Sequence, residues 1–227
     1  MFDYLRDPQE IYAKSFATIE AEADLARFSD DQQPVAIRII HACGMVEMAA
    51  RIAFGGDLVG SATAALRSGK PVLCDAEMVR QGIISRLLPA ENKIICTLND
   101  DTTHDIANRL GTTRSAAAVE AWADHIEDAI IAIGNAPTAL FHVLEAIHDE
   151  RLPKPAAIIG MPVGFVGAAE SKDALIDHAG DIPFVTLRGR FGGSAVTAAT
   201  VNALARLARD DATTPDGTLD RRNGGMP

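Results

Sequence analysis

The first third of the chain spaces its apolar residues three or four positions apart, which is the pattern of amphipathic helices. This spacing predicts one helix over residues 11–23 and a second over residues 34–54. The pair Gly55-Gly56 follows the second pattern directly, and glycine commonly ends a helix because it adopts a left-handed backbone without strain. We therefore expect two amphipathic helices at the start of the fold.

The rest of the chain alternates short apolar runs with further helical patterns. Each run is rich in Val or Ile and is apolar at consecutive positions, which is typical of strands covered on both faces. The predicted strands are residues 71–74, 93–98, 128–133, 156–159 and 183–187. This order predicts an α/β fold: a three-layer α/β/α sandwich around a mostly parallel sheet of about five strands.

The third predicted strand has a competing interpretation, because residues 119–133 can also be read as one long helix. We favour a strand over residues 128–133, since Gly134 and Pro137 follow it closely and both residues interrupt helices. The two interpretations differ in whether residues 128–133 form a strand of the sheet or the end of a helix.

The chain shows no internal repeat and no long linker, so we expect a single α/β domain over residues 1–210. Residues 211–227 are polar, rich in Gly, Asp, Thr and Arg, and almost without apolar anchors. That composition predicts a flexible polar tail after the domain.

The composition is that of a globular protein, with 48% hydrophobic and 23% charged residues. The formal net charge is −10 and the chain lacks Lys and Arg clusters, which argues against nucleic-acid binding. No apolar run is long enough to span a membrane, and the first residues lack the features of a signal peptide. We expect a cytoplasmic protein that binds neither nucleic acid nor membrane.

Three glycine-rich turns follow predicted strands, at residues 134–140, 160–172 and 188–194. In a parallel α/β sheet, ligands bind beyond the carboxyl ends of the strands, and the N-termini of the following helices favour anions. None of the turns carries the G-x-G-x-x-G or G-x-x-x-x-G-K-[ST] pattern of nucleotide-binding proteins. Each turn is therefore read either as a plain tight turn or as part of an anion site.

Arginines lie beside these turns or on the early predicted helices, namely Arg38, Arg114, Arg188 and Arg190. An arginine holds a carboxylate or phosphate through two parallel hydrogen bonds. A local cationic pocket in this acidic protein would therefore suit a polycarboxylate or phosphate ligand. The alternative is that these arginines are scattered over the surface.

His41 differs from the other five histidines because it lies three residues after Arg38, among apolar neighbours. This spacing places both side chains on one helical face. A histidine beside a fixed cation is a candidate general acid or base, and a packed core histidine is the alternative. No histidine has metal-site spacing, and the cysteines are read as small buried hydrophobes: Cys43, Cys74 and Cys96.

Seven ordered blocks, spread over nearly the whole chain, resemble the precorrin-8X methylmutase family of corrin-ring biosynthesis. The blocks are residues 11–16 (IYAKSF), 38–45 (RIIHACGM), 73–79 (LCDAEMV), 113–118 (TRSAAA), 132–140 (AIGNAPTAL), 160–172 (GMPVGFVGAAESK) and 188–195 (RGRFGGSA). Seven blocks in one order make a specific signal. The polar end of the chain is the part that the family pattern does not explain.

The resemblance implies an isomerase that moves a methyl group from carbon 11 to carbon 12 of precorrin-8X and so forms hydrogenobyrinate. It places the catalytic histidine of the family on His41 and the substrate contacts on Ser15, Arg38 and Arg114. It also implies a homodimer, a corrinoid polycarboxylate, metal-free or cobalt-bearing, as the substrate, and no redox cofactor. Ser15 is singled out by the resemblance alone, whereas the other three residues also stand out from the pattern.

Two other functions remain open at this point. A Rossmann-like nucleotide or phosphate enzyme would use the glycine-rich turns, although its fingerprint is missing. A tetrapyrrole carrier would use the same arginines and turns but would not need His41. The two corrinoid functions differ in whether replacement of His41 abolishes conversion or leaves the function intact.

Overall fold

The computed structural model describes residue 2 and residues 4–209, and these residues form one six-stranded sheet with helices on both sides. The strands are β1 (Ile52–Gly55), β2 (Val72–Cys74), β3 (Ile94–Ile95), β4 (Ile130–Ile133), β5 (Ala157–Gly160) and β6 (Phe184–Leu187). The α-helices are α1 (Pro8–Glu22), α2 (Gln33–Cys43), α3 (Leu58–Arg67), α4 (Glu77–Gly82), α5 (Asp101–Leu110), α6 (Arg114–Glu120), α7 (Pro137–His148), α8 (Ala168–His178) and α9 (Ser194–Ala208).

The strands lie in the order β1-β6-β5-β4-β2-β3. All neighbouring pairs are parallel except β1 and β6, which are antiparallel. From β2 the chain first adds β3 on one side and then β4, β5 and β6 on the other, so the strand order reverses between β2 and β4. That position is the switch point of a doubly wound sheet.

Alternate residues of the central strands enter two separate cores. On β4, Ile130 and Ala132 pack with residues of α2, α3 and α9, whereas Ile131 and Ile133 pack with residues of α7 and α8. All four residues are fully buried, as a strand between two helical layers requires. The predicted α/β/α sandwich with a mostly parallel sheet is confirmed, with six strands where about five were predicted.

The competing helix over residues 119–133 is wrong. Helix α6 ends at Glu120, and β4 begins at Ile130 and pairs with both β2 and β5. Between them the backbone turns, with Asp128 in the left-handed region at φ 59°. The parallel pairing of β4 with two neighbours outweighs the local helical pattern.

The predicted second helix, residues 34–54, is wrong in its second half. Helix α2 stops at Gly44, which has φ 69° and donates its backbone N–H to the carbonyl of Ile40. A short 3-10 helix, Val46–Arg51, follows, and then β1 pairs with β6. The chain leaves the helix here because glycine takes the left-handed conformation readily and β1 satisfies its polar backbone groups along the sheet edge.

The first helix begins three residues earlier than predicted. The side chain of Asp7 accepts a hydrogen bond from the backbone N–H of Gln9 and so caps α1, and Pro8 occupies the first helical position. Both features are typical helix starts.

Two further predictions from the sequence concern the polar tail and membrane-spanning segments. The predicted tail, residues 211–227, lies outside the described residues. Within the described part of the chain, no helix is long and apolar enough to cross a membrane.

The switch point is filled by a carboxylate of the protein itself. Asp75 follows β2 directly and is completely buried. Its two oxygens accept hydrogen bonds from the backbone N–H groups of Gly134, Asn135 and Ala136 at 2.9, 2.9 and 2.7 Å. Burial raises the pKa of Asp75, while the three N–H donors oppose that rise. The turn that would receive an anionic ligand in a Rossmann-like enzyme is thus already occupied.

Replacement of Asp75 by asparagine (Asp75→Asn) is expected to lower the free energy of unfolding by about 1–3 kcal/mol, because an amide nitrogen cannot accept from a buried N–H. Urea unfolding measures this loss. Asp149→Asn is the matched control, since Asp149 is half exposed and 3.8 Å from Arg151. Its replacement should change the free energy by less than about 1 kcal/mol. Equal losses in both variants would contradict the role of Asp75.

Candidate active site

Arg38 and His41 lie on the face of α2 that α1 covers. The guanidinium carbon of Arg38 lies 4.6 Å from the ring centroid of Phe16 on α1. The imidazole of His41 stacks on the same ring, with centroids 5.1 Å apart and planes inclined by 30°. The spacing of three residues therefore brings both groups to one neighbour, as the sequence predicts.

Tyr12 completes the aromatic cluster around His41. Its ring lies one helical turn before Phe16, with centroids 6.1 Å apart, and its centroid is 5.9 Å from that of the His41 imidazole. The sequence analysis did not predict Tyr12 or Phe16 as site residues. Their spacing of four positions on the first predicted helix was a usable signal, because such residues share a helical face.

A cavity of about 520 Å³ opens between α1 and the end of α2. His41 and Ser15 both line it, so the structure brings these two predicted site residues together. The other lining residues are Leu5, Ile11, Lys14, Thr18, Ile19, Glu22, Ile40, Gly44 and Val46. The walls are mainly apolar, with one cationic and one anionic side chain among them.

A second, smaller cavity of about 100 Å³ lies on the other side of His41, between α2 and α9. Arg38 and His41 line it together with Asn202 and Arg206 of α9. His41 therefore lies between two openings, one shared with Ser15 and one shared with Arg38. Arg206 adds a second guanidinium to this cavity, and the sequence had not pointed to it. It lies one helical turn after Asn202, on the same face of α9.

Arg114 is not among the described residues that line either cavity with His41. It is exposed at the first position of α6, next to the helix cap Thr113, whose hydroxyl accepts from the backbone N–H of Ala116. Helix α6 belongs to the helical layer on the opposite side of the sheet from α2. Within one chain, the structure thus separates Arg114 from Ser15, Arg38 and His41.

The second and third glycine-rich turns pack against each other at the carboxyl edge of the sheet. The N–H of Gly164 donates to the carbonyl of Arg190 at 3.3 Å, and the N–H of Gly193 donates to Met161 at 2.8 Å. A Cβ at Gly192 would collide with the carbonyl of Met161, so the backbones approach as closely as glycine allows. These turns form one paired unit.

The arginines of this paired unit lie apart from His41 and contact other side chains. The guanidinium of Arg190 lies 5.4 Å from the ring centroid of Phe165, and Arg188 is 4.0 Å from the carboxylate of Asp173. Both arginines are exposed. They mark the outer surface of the turns.

Lys172 contacts the paired turns from the protein interior. Its side chain is completely buried, and its ammonium donates a hydrogen bond to the carbonyl of Phe191 at 2.5 Å. Burial lowers the pKa of Lys172 to about 8, and the nearby Asp173 only partly opposes this. A buried ammonium is costly, and this one stabilises the position of the turn that carries Phe191.

The cysteines have no sign of catalytic activation. Burial raises the pKa of the Cys43 thiol and raises that of Cys96 to about 11. Cys74 is buried in the core, and burial raises the pKa of its thiol as well. Thiols with raised pKa values are poor nucleophiles at neutral pH. All three cysteines pack in or against the hydrophobic core, but only Cys74 is buried as predicted, whereas Cys43 and Cys96 are half-buried.

No group of three or more His, Cys, Asp or Glu side chains in residues 4–209 is arranged to hold a metal ion. The residues around His41 instead offer cations, hydroxyls and apolar walls. Such a lining suits an organic ligand that combines a large apolar body with carboxylates.

A protein-family model described as precorrin-8X methylmutase matches residues 10–207, which is most of the chain. The chain belongs to the precorrin-8X methylmutase family. It is 56% identical over 205 residues to a precorrin-8X methylmutase of Sinorhizobium sp, a match that covers 90% of this chain and 97% of the relative. It is 52% identical to a precorrin-8X methylmutase of Pseudomonas aeruginosa, over 90% of this chain and 98% of the relative.

More distant relatives include proteins named cobalt-precorrin-8 methylmutase. A cobalt-precorrin-8 methylmutase of Priestia megaterium is 38% identical over 94% of both chains. A solved structure titled precorrin-8x methyl mutase from Thermus thermophilus superimposes with a TM-score of 0.80 at 34% identity, covering 89% of this chain and 97% of the other. The chain is therefore an isomerase of cobalamin biosynthesis, as the resemblance in its sequence implied.

The lowered pKa of Lys172 predicts a pH dependence of stability. Between pH 8 and the ordinary lysine value of 10.5, the unfolded chain binds more protons than the folded chain, so the free energy of unfolding rises with pH. The contribution is at most about 1.4 kcal/mol per pH unit. Urea unfolding from pH 7 to pH 10 should show this rise in the wild type relative to the variant Lys172→Met.

Lys154→Met is the matched control for this titration. Lys154 is exposed and its ammonium lies 2.7 Å from the carboxylate of Asp181. Its replacement should leave the rise above pH 8 in place. A wild type and a Lys172→Met variant with parallel stability profiles would refute the lowered pKa of Lys172.

Proposed function

We propose that the chain converts precorrin-8X to hydrogenobyrinate by moving a methyl group from carbon 11 to carbon 12, with His41 as the general acid. The observation that carries this proposal is the position of His41. Its imidazole lies between two cavities, beside the Arg38 guanidinium and across from Ser15. An acid that serves a ring nitrogen or carbon of a macrocycle needs such access together with a nearby anchor for carboxylates.

The charges near His41 suit the substrate. Precorrin-8X carries acetate and propionate arms, which guanidinium and ammonium groups bind through charge-assisted hydrogen bonds. The chain has a net charge of −10, yet Lys14, Arg38 and Arg206 all line the openings beside His41. Ser15 adds a hydroxyl for a carboxylate or carbonyl oxygen. These residues bind the arms while the apolar walls contact the ring.

The reaction is an isomerisation, so the substrate and the product contain the same atoms. The bond between the methyl group and carbon 11 breaks, the bond between the methyl group and carbon 12 forms, and nothing is oxidised or reduced. His41 donates a proton to the macrocycle to make the shift easier and takes a proton back when the product forms. The protein otherwise contributes by holding the macrocycle in a reactive shape.

The metal-free substrate is the better match. The relatives above 50% identity are named for precorrin-8X, whereas the relative at 38% identity is named for cobalt-precorrin-8. We therefore propose metal-free precorrin-8X as the preferred substrate. A comparison of both substrates at equal concentration tests this choice, and faster conversion of the cobalt form would reverse it.

The test of the reaction follows the absorption spectrum of precorrin-8X mixed with the wild type or with His41→Asn. The wild type should change the spectrum, and the variant should bind the corrinoid but convert it at least about 100-fold more slowly, the usual effect of losing a general acid. His148→Asn is the matched control, because His148 lines a different groove. Binding without spectral change in every protein would favour a tetrapyrrole carrier instead.

We further propose that the enzyme works as a homodimer in which Arg114 serves the site of the partner. Arg114 lies in the helical layer opposite His41, so a contact with the same substrate is best explained by a second copy. The tip of the second glycine-rich turn also exposes a hydrophobic surface, with Phe165 84% and Val166 89% exposed. Exposed large apolar groups of this kind are typical of subunit interfaces.

The shared site predicts complementation between two inactive variants. His41→Asn and Arg114→Ala chains, produced together with different tags and purified through both tags, form dimers with one intact site out of two. Such dimers should show about half of the wild-type activity. Activity no higher than that of the single variants would place Arg114 and His41 in one chain's site, and a monomer in sedimentation would refute the dimer itself.

A further inference from the structure

The ring of Phe16 contacts two of the polar groups of the proposed site, Arg38 and His41. The guanidinium of Arg38 lies 4.6 Å from its centroid, and the imidazole of His41 stacks at 5.1 Å with an inclination of 30°. Tyr12 stacks on the same ring at 6.1 Å, with planes inclined by only 14°. Phe16 is thus the common neighbour of a guanidinium, an imidazole and a second aromatic ring.

These contacts depend on the aromatic character of the Phe16 side chain and not only on its apolar surface. The face of a benzene ring is electron-rich, so it attracts a guanidinium and orients a stacked imidazole. A branched aliphatic side chain could fill the same volume between α1 and α2, but it has no such face. The fold therefore does not require an aromatic residue at this position for burial alone, since Phe16 is only half-buried.

The contacts also cross between two helices. Arg38 and His41 stand on α2, whereas Phe16 stands on α1, and the larger cavity opens along the seam between these helices. Ser15, the neighbour of Phe16 in the chain, lines that cavity with His41. The stacking on Phe16 thus couples the orientation of the imidazole to the position of the helix that carries Ser15.

We propose that Phe16 is a positioning residue for the isomerisation: its ring fixes the imidazole of His41 and the guanidinium of Arg38 side by side. The inference rests on the proposed function, in which His41 donates a proton while a cation binds a carboxylate arm. Both groups have several side-chain rotamers, and contact with one shared ring restricts both. A proton donor held in this way is aimed at the macrocycle before the substrate binds.

The variants Phe16→Leu and Phe16→Tyr separate the ring face from simple packing. Leucine keeps an apolar side chain and removes the ring, whereas tyrosine keeps the ring. Phe28→Leu is the matched control, because Phe28 also pairs with an aromatic ring, Phe54 at 5.8 Å, and has Arg27 over its face at 5.6 Å. Phe28 lies outside both cavities that His41 lines.

Two measurements test the proposal. The first is the conversion of precorrin-8X, for which Phe16→Leu should lower kcat about tenfold or more with little change in KM, because misplaced catalytic groups slow the chemical step. Phe16→Tyr should stay close to the wild type, and Phe28→Leu should affect thermal stability without a comparable loss of kcat. The second is the NMR signal of the His41 ring protons without substrate, which should lose the part of its ring-current shift that Phe16 contributes in Phe16→Leu and stay unchanged in Phe28→Leu.

Several results would overturn the proposal. They are an unchanged kcat in Phe16→Leu, a rise in KM alone, or His41 ring signals that do not move. If Phe16→Leu fails to fold, Phe16→Met removes the ring with an unbranched side chain and takes its place in both measurements. The NMR measurement needs no turnover, so a failure of the wild type to convert precorrin-8X would refute the proposed function without obscuring the result for Phe16.

Discussion

The buried carboxylate of Asp75 holds the fold together at the point where the sheet changes direction. It joins the end of β2 to the turn after β4 through three backbone N–H groups. These donors precede α7 and would otherwise be unsatisfied at a buried helix start, where unpaired polar groups are costly. The register of β2 against β4, and with it the arrangement of β5, β6 and the helices beyond them, depends on this junction.

The same interaction explains why the proposed site lies elsewhere. In a doubly wound sheet the crevice at the switch point is the usual ligand site. Here the protein's own carboxylate occupies the N–H groups that would meet a ligand phosphate, which leaves no anion site of the Rossmann kind at that turn. His41 lies instead on the outer side of α2, where α1 and α9 leave openings on either side of it.

The proposed site offsets the acidic net charge of the protein with cationic side chains close to His41. The net charge of −10 repels polycarboxylates at long range, so binding depends on close contacts with a few guanidinium and ammonium groups. Arg38 and Arg206 reach one opening beside His41, and Lys14 reaches the other. At the carboxyl edge of the sheet, Lys172 holds the paired glycine-rich turns from within, and their apolar tip at Phe165 faces outward.

The sequence by itself determined the features that depend on near neighbours along the chain. Apolar runs of four to six residues predicted the strands, and the spacing of three residues placed Arg38 and His41 on one helical face. The order of the seven sequence blocks along the chain also led to the correct family. The strand and helix signals lie within a few consecutive residues, where backbone geometry alone decides which side chains share a face.

Tertiary structure decided the features that depend on distant partners. Strand β1 forms because Ile52 pairs with Leu187, more than a hundred residues away, and no local pattern distinguished it from the end of a helix. Asp75 found its donors 59 to 61 residues further on, and Arg114 came to the layer opposite His41. The cavities around His41 exist only because α1 and α9 pack on α2. Such contacts follow from how whole elements pack, and a linear pattern does not contain that information.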